Sequence, residues 1–276
     1  MRVAIIGCGY VGSAVARIWH QKEDLVSVTT TTPDKKETLQ EIASEIIILT
    51  GNNLAKLKNL VADKDVVLLS VGAKQRTPEI YYRAYLETAS NVVTAIRETG
   101  NVRQLIYTSS YGILGSQKNT VVDETAIPNP RNEYGEILTK TEQVLLSVPA
   151  SEYKTCILRL SGIYGEGREL IRIFSRVAGT TRPGKGDDYT NWVHIDDIVG
   201  AIDFAKQKQL HGIYNLASEG VLTTKEFFTK LFESHNLSNV TWDDSQPSNR
   251  SYSMKLSSQK IQDAGYRFVH PEIKFN

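Results

Sequence analysis

The sequence predicts an α/β fold, in which a doubly wound parallel sheet is followed by a small, irregular C-terminal lobe. Short apolar runs alternate with helical segments over residues 1–165, which is typical of a parallel sheet covered by helices on both faces. The first apolar run, residues 3–6, breaks into the glycine-rich turn Gly7-Cys8-Gly9-Tyr10-Val11-Gly12 and then into a helix. After Gly165 the alternation gives way to loops and shorter helices.

The elements follow one another in a regular order. The predicted strands are residues 3–6, 25–30, 45–49, 65–71, 103–109 and 154–160, with a late strand at 212–217. The predicted helices are residues 13–19, a helix opened by Thr32-Pro33-Asp34 with Thr32 as its cap, and residues 54–61, 78–98 and 132–148. We expect residues 1–165 to form a dinucleotide-binding domain and 166–276 a substrate-binding lobe, whose late strand and helices return to the sheet.

The glycine-rich turn predicts a Rossmann-type dinucleotide site. Gly7 suits the tight turn, Gly9 lets the backbone approach a pyrophosphate, and Gly12 lets the helix pack closely on the strand. The helix start offers N–H groups and a positive dipole end to the anion, so Tyr10 and Val11 are also expected to contact the cofactor.

Composition and charge exclude several classes of protein. Among 276 residues, 32 are basic and 31 acidic, and their mixing along the chain predicts neither a nucleic-acid surface nor a membrane anchor. No apolar run approaches ~20 residues, and the N-terminus is itself the first strand, so we expect no signal peptide. The 2 cysteines predict free thiols in a cytoplasmic protein, and no cysteine or histidine spacing predicts a metal site.

The end of the second strand favours NADP over NAD. An NAD-binding chain carries an acid ~20 residues past the glycines, whereas this one reads Thr29-Thr30-Thr31-Thr32. Hydroxyl groups such as those of Thr30 and Thr31, with the ammonium groups of Lys35 and Lys36, can hold a 2′-phosphate that an acid would repel. NAD stays open, because threonines also suit strands and no arginine is present there.

Two further loops at the carboxyl ends of strands are candidate cofactor contacts. Asn52, after the third strand, can hydrogen-bond an adenine edge through its amide, although an asparagine-rich turn explains it equally well. After the fourth strand, Val71, Gly72 and Ala73 are small enough for their backbone to approach the cofactor.

Several stretches carry a family resemblance. The fifth strand runs into Tyr107-Thr108-Ser109-Ser110-Tyr111-Gly112, and the next helix contains Tyr134-Gly135-Glu136. With the glycine motif, they resemble the short-chain dehydrogenase/reductase superfamily. Residues 159–165, 191–198 and 212–217 read RLSGIYG, NWVHIDDI and GIYNLA and resemble its extended branch, the NAD-dependent epimerase/dehydratase family. The resemblance covers nearly the whole chain.

The resemblance implies an active site. Ser110 matches the hydroxyl that hydrogen-bonds the substrate oxygen, and Tyr134 matches the acid/base that exchanges a proton with it and also contacts the cofactor. The nicotinamide takes or gives the hydride. Ser109 is expected to turn inward, and Glu142, eight residues past Tyr134, matches an acid often seen there.

The chain departs from the family pattern at one position. The family places a lysine four residues after the tyrosine, because a free tyrosine titrates near pH ~10, too high for a base near neutrality. Here Leu138 stands at that position, and Lys140 lies roughly 200° further round the helix, facing away. Lys74 or Arg76, after the fourth strand, are candidate replacements.

The remaining candidates lie later in the chain. The resemblance places three residues in the substrate-facing region, Tyr164, Arg168 and Arg182, with surface or internal ion pairs as the alternative for the arginines. His194 is expected to be structural, and Asp196 and Asp197 to be N-caps.

Two function classes remain open, and so does the oligomeric state. The first class is an NAD(P)-dependent oxidoreductase or epimerase/dehydratase acting at a carbinol or carbonyl carbon of a small, sugar-like substrate. The second is an inactive NADP-binding redox sensor, which Leu138 favours. Helices 78–98 and 132–148 are those that the family pairs in a homodimer. An apolar stripe suits either that pairing or the core, and it consists of Tyr81, Tyr85, Ala89, Val92 and Ile96.

Overall fold

A central sheet of seven strands confirms the predicted fold class. The computed structural model describes residues 1–117, 120–250 and 252–275. The strands are β1 (Arg2–Ile6), β2 (Leu25–Thr30), β3 (Glu45–Ile48), β4 (Val66–Leu69), β5 (Gln104–Ser110), β6 (Lys154–Leu160) and β7 (Gly212–Leu216). Their order across the sheet is β7-β6-β5-β4-β1-β2-β3, and the pairs β1–β2, β1–β4, β2–β3 and β4–β5 are parallel.

Helices connect the strands, as the sequence predicts. The longer helices are α1 (Tyr10–Gln21), α2 (Leu54–Val61), α3 (Thr88–Thr99), α4 (Glu133–Leu146), α5 (Ile195–Lys208) and α6 (Thr224–Ser234). Short helical turns stand at Pro33–Lys35, Lys36–Leu39, Pro78–Tyr81, Tyr82–Glu87, Tyr111–Leu114, Leu170–Phe174, Ser175–Val177 and Gln259–Asp263. No helix in the described part of the chain is both long and apolar enough to cross a membrane.

The sheet is buried because its central strands are apolar on both faces. All four residues of β4 are fully inaccessible to solvent. On one face, three members of the predicted apolar stripe, Ala89, Val92 and Ile96, are buried in the core with residues of β4 and β5. This part of the stripe therefore packs inside the subunit.

The helix before α3 contains a π-helical turn. Pro78–Tyr81 is α-helical, Tyr82–Glu87 is π-helical, and α3 continues to Thr99 without a break in the helix. The Oγ1 of Thr77 caps the start by accepting from Ile80 N at 3.3 Å. A π turn inserts a residue into the α-helical register and is frequently found at functional sites.

The chain forms two compact units that interleave in sequence. The first unit is Met1–Ser110, Asn132–Arg159 and Val199–Ile213, and the second is Tyr111–Arg131, Leu160–Ile198 and Tyr214–Asn276. This division differs from a single boundary at residue 165, because residues 111–131 join the second unit and most of α5 belongs to the first. The sheet order reverses between β1 and β4, which is the position where ligands bind in doubly wound folds.

The second unit is built from short strand pairs around an aromatic cluster. The pairs are Gly162–Tyr164 with Trp192–His194, Thr181–Pro183 with Thr241–Asp243, Tyr189–Thr190 with Leu222–Thr223, and Val121–Val122 with Lys255–Leu256. The cluster centres on Trp192, whose ring stacks on Phe227 at 5.3 Å between centroids. Helix α6 contributes three buried rings to this cluster, those of Phe227, Phe228 and Phe232.

Candidate cofactor site and active site

Two glycines of the turn after β1 are required by the fold. Gly7 has φ +96°, and a Cβ there would lie 2.5 Å from the carbonyl oxygen of Ser70. A Cβ on Gly12 would lie 2.3 Å from the carbonyl oxygen of Gly7. Both distances are far below van der Waals contact, so no other residue fits without moving the backbone. These glycines set the close packing of α1 on β1 and β4.

Gly9 is not required by the packing of the protein. Within the described part of the chain, a Cβ at Gly9 would meet no atom within 4 Å, and the same is true at Gly72 in the loop after β4. Gly9 stands at the start of α1, where no side chain caps the helix and no acid lies in the first turn. Open space beside an uncapped helix start fits a dinucleotide phosphate, which binds to N–H groups and the positive dipole end.

The threonines that end β2 hold the glycine turn in place. The backbone N–H of Gly7 donates to Oγ1 of Thr29 at 3.0 Å, and that of Cys8 donates to the Thr29 carbonyl at 2.8 Å. Oγ1 of Thr30 accepts from Thr32 N at 3.1 Å, and Thr31 is exposed. Thr29, which sequence reasoning did not single out, is therefore the residue that fixes the turn, through both its hydroxyl and its carbonyl oxygen.

Thr32 does not cap the following helix, contrary to expectation. No side-chain hydrogen bond caps the turn Pro33–Lys35. Instead, Nζ of Lys74 donates to Oγ1 of Thr32 at 3.3 Å. An ammonium group from the loop after β4 is thereby placed beside the hydroxyl groups that end β2.

The asparagines after β3 have separate roles. Oδ1 of Asn52 accepts from the Thr50 hydroxyl at 2.7 Å, within an exposed turn. Oδ1 of Asn53 caps α2 by accepting from Lys56 N at 3.0 Å. The side chain of Asn52 is exposed to solvent, so its role at the adenine edge stays a prediction.

The loop after β4 is tied to the helix that contains the π turn. The N–H of Ala73 donates to the hydroxyl oxygen of Tyr85 at 3.4 Å. Burial raises the pKa of Tyr85, while the hydrogen bond from Ala73 acts in the opposite direction. Val71 is half-buried and Gly72 exposed, so the middle of this loop is open to a ligand.

Ser109 turns inward, as expected, and meets a buried ion pair. Its Oγ donates to Oε1 of Glu142 at 2.6 Å. Nη2 of Arg159 donates to Oε2 of Glu142 at 2.8 Å, and Nε lies 3.2 Å from both carboxylate oxygens. Arg159 and Glu142 are both almost fully buried. The pair thus joins β5, β6 and α4 next to Ser109, and Ser110 ends β5 half-exposed.

Tyr134, in the first turn of α4, is held by the loop after β4. Its hydroxyl donates to the carbonyl oxygen of Arg76 at 2.9 Å. Cζ of Arg76 lies 5.2 Å from the centroid of the Tyr134 ring, within the range of a cation–π contact. The ring of Tyr81 packs against the Tyr134 ring at 4.7 Å between centroids. Of the two candidate cations, Arg76 is therefore the one in contact with Tyr134.

The positions of the missing lysine and its neighbour agree with helical geometry. Leu138 is half-buried and Lys140 is exposed on α4. Asn132 caps the helix, with its Oδ1 accepting from Gly135 N at 3.1 Å, which fixes the register of Tyr134 and Leu138.

The second unit contains the three residues predicted to face a substrate. Tyr164 is buried, its hydroxyl oxygen accepts from Lys274 N at 3.0 Å, and its ring lies 5.0 Å from that of His194. Packing accounts for this tyrosine without a ligand. Arg168 is exposed and closes a tight turn through its N–H, which donates to the Gly165 carbonyl at 2.9 Å.

Arg182 carries a positive charge that acts on a second arginine, Arg250. The sequence indicated Arg182 as a candidate but not Arg250. Cζ of Arg182 lies 6.0 Å from the centroid of the Phe228 ring. Burial lowers the pKa of Arg250, the charge of Arg182 acts in the same direction, and Tyr111 and Asp188 oppose both effects. Nε of Arg250 is buried without a hydrogen-bond partner among the described residues. Arg250 had no motif to mark it.

His194 caps helix α5, a role that the sequence analysis predicted for Asp196 and Asp197. Helix α5 begins at Ile195, so Asp196 and Asp197 lie within its first turn. Nδ1 of His194 accepts from Asp196 N at 3.2 Å. The expected N-cap role of the acids is therefore wrong by one or two positions, and the imidazole takes that role.

Comparison with known proteins supports the family resemblance. The model of the NAD dependent epimerase/dehydratase family matches residues 3–217. Protein YeeZ of Escherichia coli K12 is 29% identical over 237 residues, which span 83% of this chain and 82% of YeeZ. Sterol-4-alpha-carboxylate 3-dehydrogenase of Schizosaccharomyces pombe is 22% identical over 178 residues, 61% of this chain and 52% of that enzyme.

The fold is shared with a solved epimerase. The UDP-glucose 4-epimerase of Thermus thermophilus, in complex with NAD, superposes with a TM-score of 0.79 at 22% identity, covering 100% of this chain and 95% of the epimerase. The family match covers the glycine turn, both serines of β5, Tyr134 and the late strand, which are the stretches that carry the resemblance. The chain therefore belongs to the NAD-dependent epimerase/dehydratase family.

Proposed function

We propose that this protein binds NADP and catalyses oxidoreduction at a carbinol or carbonyl carbon of a small, sugar-like substrate, as such or within an epimerase or dehydratase cycle. The observation that carries the proposal is the open space at Gly9 beside the uncapped start of α1. When bound, the nicotinamide supplies hydride transfer. Gly9, Tyr10, Val11, Gly72 and Ala73 would hold its diphosphate and ribose groups.

The 2′-phosphate of NADP would bind at the end of β2. Thr31 is exposed there, and the ammonium group of Lys74 reaches Thr32 from the loop after β4. Hydroxyl groups and an ammonium group bind a phosphate by charge-assisted hydrogen bonds. Lys74 would thus supply the positive charge that an arginine usually supplies, although the family is named for NAD.

An acid at this position should reverse the cofactor preference. In Thr31→Asp, the carboxylate repels the 2′-phosphate, so we expect NADPH to bind about tenfold or more weakly and NADH to become the tighter ligand. Titration calorimetry with both nucleotides measures this. Thr31→Asn has the same size without the charge and should change the NADPH affinity little. A wild type that binds NADH as tightly as NADPH would refute the assignment.

The proton transfer would fall to Tyr134, with Ser110 binding the substrate oxygen. Tyr134 donates to the Arg76 carbonyl at 2.9 Å, so this hydrogen bond must break before the hydroxyl can reach a substrate. The guanidinium on the ring face brings a positive charge to a tyrosine that lacks the family lysine. Tyr134 would thus act with a weaker cationic partner than that lysine.

Restoring the lysine should move the pH optimum. Without it, a reaction that needs an ionised tyrosine should be fastest at alkaline pH. In Leu138→Lys, an ammonium one helical turn from Tyr134 favours the ionised phenol, and the optimum should move about 1–3 pH units towards neutrality. The pH–rate profile of the first alcohol or carbonyl compound that is turned over measures this. Gln143→Lys adds the same charge at an exposed position of α4 and should leave the profile unchanged.

A second candidate is a redox sensor that binds NADP without turnover. Leu138 and the engaged hydroxyl of Tyr134 favour it. Tyr134→Phe separates the two functions, because it should abolish turnover in the enzyme and leave NADPH binding intact in both. Mass spectrometry of small molecules that co-purify with the native protein tests them independently, since a second ligand besides the cofactor supports the enzyme.

The substrate would carry an anionic group. Arg182 and Arg250 bring two guanidinium groups into one part of the second unit, where Asp188 is the acid whose charge acts on Arg250. A phosphate or carboxylate, as in a sugar nucleotide, suits this charge.

The protein would form a homodimer. The homodimer would pair the helices at 78–98 and 132–148, with exposed Tyr82 at the contact rather than the buried part of the apolar stripe. Light scattering of the purified protein measures the oligomeric state.

A further inference from the structure

Two histidines and an aspartate meet in the second unit. None of them is among the residues assigned above to the cofactor or to the acid/base. We call them the His–Asp–His cluster: His194 at the end of its strand, Asp196 in the first turn of α5, and His270 near the C-terminus. One nitrogen from each ring and a carboxylate oxygen all lie within 4.8 Å of one another. The cluster therefore offers three converging ligand atoms.

Two of the three distances within the cluster are close to the edges of a metal coordination shell. Nε2 of His270 lies 2.9 Å from Oδ2 of Asp196, and Nδ1 of His194 lies 3.3 Å from the same oxygen. Ligands at Zn–N distances of ~2.0–2.1 Å in a tetrahedron are separated by roughly 3.3 Å. The ring centroids of the two histidines are 4.0 Å apart, so the two imidazoles are in direct contact.

Nδ1 of His194, with its one lone pair, lies close to both a backbone N–H and a carboxylate oxygen. It accepts from Asp196 N, so this nitrogen does not carry a proton in the neutral ring. The same nitrogen faces Oδ2 of Asp196, which also bears lone pairs. A cation between the two atoms would attract both of them, and the lone pair of Nδ1 would then bind the ion in place of the 3.2 Å hydrogen bond from Asp196 N.

The backbone holds His270 in position independently of the cluster. Oδ1 of Asp197 accepts from Val269 N at 2.6 Å, and Oδ2 accepts from His270 N at 3.0 Å. The hydroxyl of Tyr266 donates to the Asp197 carbonyl at 2.9 Å. Asp197 thus holds the C-terminal segment against the first turn of α5, and this places the imidazole of His270 next to Asp196. A preorganised ligand set loses less conformational entropy on binding.

We propose that the His–Asp–His cluster binds one divalent transition-metal ion, with Zn²⁺ as the best match. Imidazole and carboxylate together suit Zn²⁺, and three protein ligands leave one position for water or another ligand. Asp196 is 60% exposed, whereas His194 and His270 are 15% and 8% exposed, so an ion can enter from the carboxylate side.

Competition between the untagged protein and a chromophoric chelator for Zn²⁺ tests the proposal. The wild type should bind one Zn²⁺ per chain. Asp196→Asn and His270→Gln should weaken binding more than about 100-fold, beyond the losses typical of residues that only orient a ligand. His20→Gln removes an exposed histidine of α1 and should bind Zn²⁺ as the wild type does. Equal affinity in the wild type and Asp196→Asn, or an equal loss in His20→Gln, would overturn it.

A stability measurement keeps the test independent of misfolding. Zn²⁺ should raise the melting temperature of the wild type and leave that of Asp196→Asn unchanged, because an ion that binds only the folded state stabilises it. Asp196→Asn is isosteric and exposed, so it should fold and bind NADPH normally. A melting temperature that rises equally in both proteins would show binding elsewhere and would exclude the cluster as the site.

Discussion

Replacing Gly9 by valine is expected to abolish NADPH binding while leaving the fold intact. The added side chain points into open space, since no atom of the described residues lies within 4 Å of the new Cβ. It would occupy the volume that a bound pyrophosphate needs at the start of α1. Titration calorimetry measures the loss of binding, and circular dichroism and the melting temperature measure the fold. Normal NADPH affinity in this variant would show that the turn is not a cofactor site.

Two other glycines serve as controls for this result. A Cβ at Gly12 lies 2.3 Å from the Gly7 carbonyl, so Gly12→Ala should lower the melting temperature as well as the affinity. A Cβ at Gly220 meets its nearest atoms at 3.5 Å, an ordinary contact, so Gly220→Ala should change neither. The three variants together separate a glycine kept for a ligand from a glycine kept for packing.

Replacing Glu142 by glutamine is expected to destabilise the protein by about 3–5 kcal/mol, because it leaves the Arg159 guanidinium buried without a counter-charge. Both side chains are nearly inaccessible, with exposures of 2% for Arg159 and 4% for Glu142. One guanidinium nitrogen, Nη1, already lacks a hydrogen-bond partner among the described residues. Chemical denaturation measures the free energy of unfolding.

A surface ion pair and a double variant are the controls for Glu142. Arg97 and Glu152 form an exposed pair, so Glu152→Gln should cost at most about 1 kcal/mol. Glu142→Leu combined with Arg159→Met removes both charges and should recover much of the lost stability. If Glu142→Gln costs no more than Glu152→Gln, the buried pair is not important for folding.

The fold could be predicted because local signals suffice for it. The apolar run of β4 can only be a strand buried on both faces. The turn between β1 and α1 needs glycine at Gly7 and Gly12, because a Cβ at either position would lie too close to a neighbouring carbonyl oxygen. Strand alternation likewise turned Ser109 towards Glu142. Each of these inferences depends on residues that are close in sequence or on a sheet order that the alternation of elements restricts.

The contacts that define the candidate site were harder to predict, because they join distant segments. Lys74 meets Thr32 across 42 residues, and the backbone oxygen that accepts from Tyr134 is 58 residues away. His270 and Asp196 are 74 residues apart, so no local spacing indicated a ligand set. The π-helical turn at Tyr82–Glu87 has no composition that distinguishes it from an α-helix. Long-range side-chain geometry of this kind becomes visible only in three dimensions.

The pairing of Val121–Val122 with Lys255–Leu256 has a consequence for how the chain is made on the ribosome. The partner strand is about 130 residues further along, so at roughly 5–20 residues per second it is synthesised about 7–27 s after the first. During that interval Val122, which is buried in the folded structure, lacks the strand that pairs with it. A chaperone that binds short apolar strands on nascent chains would find its earliest target in the second unit at this segment.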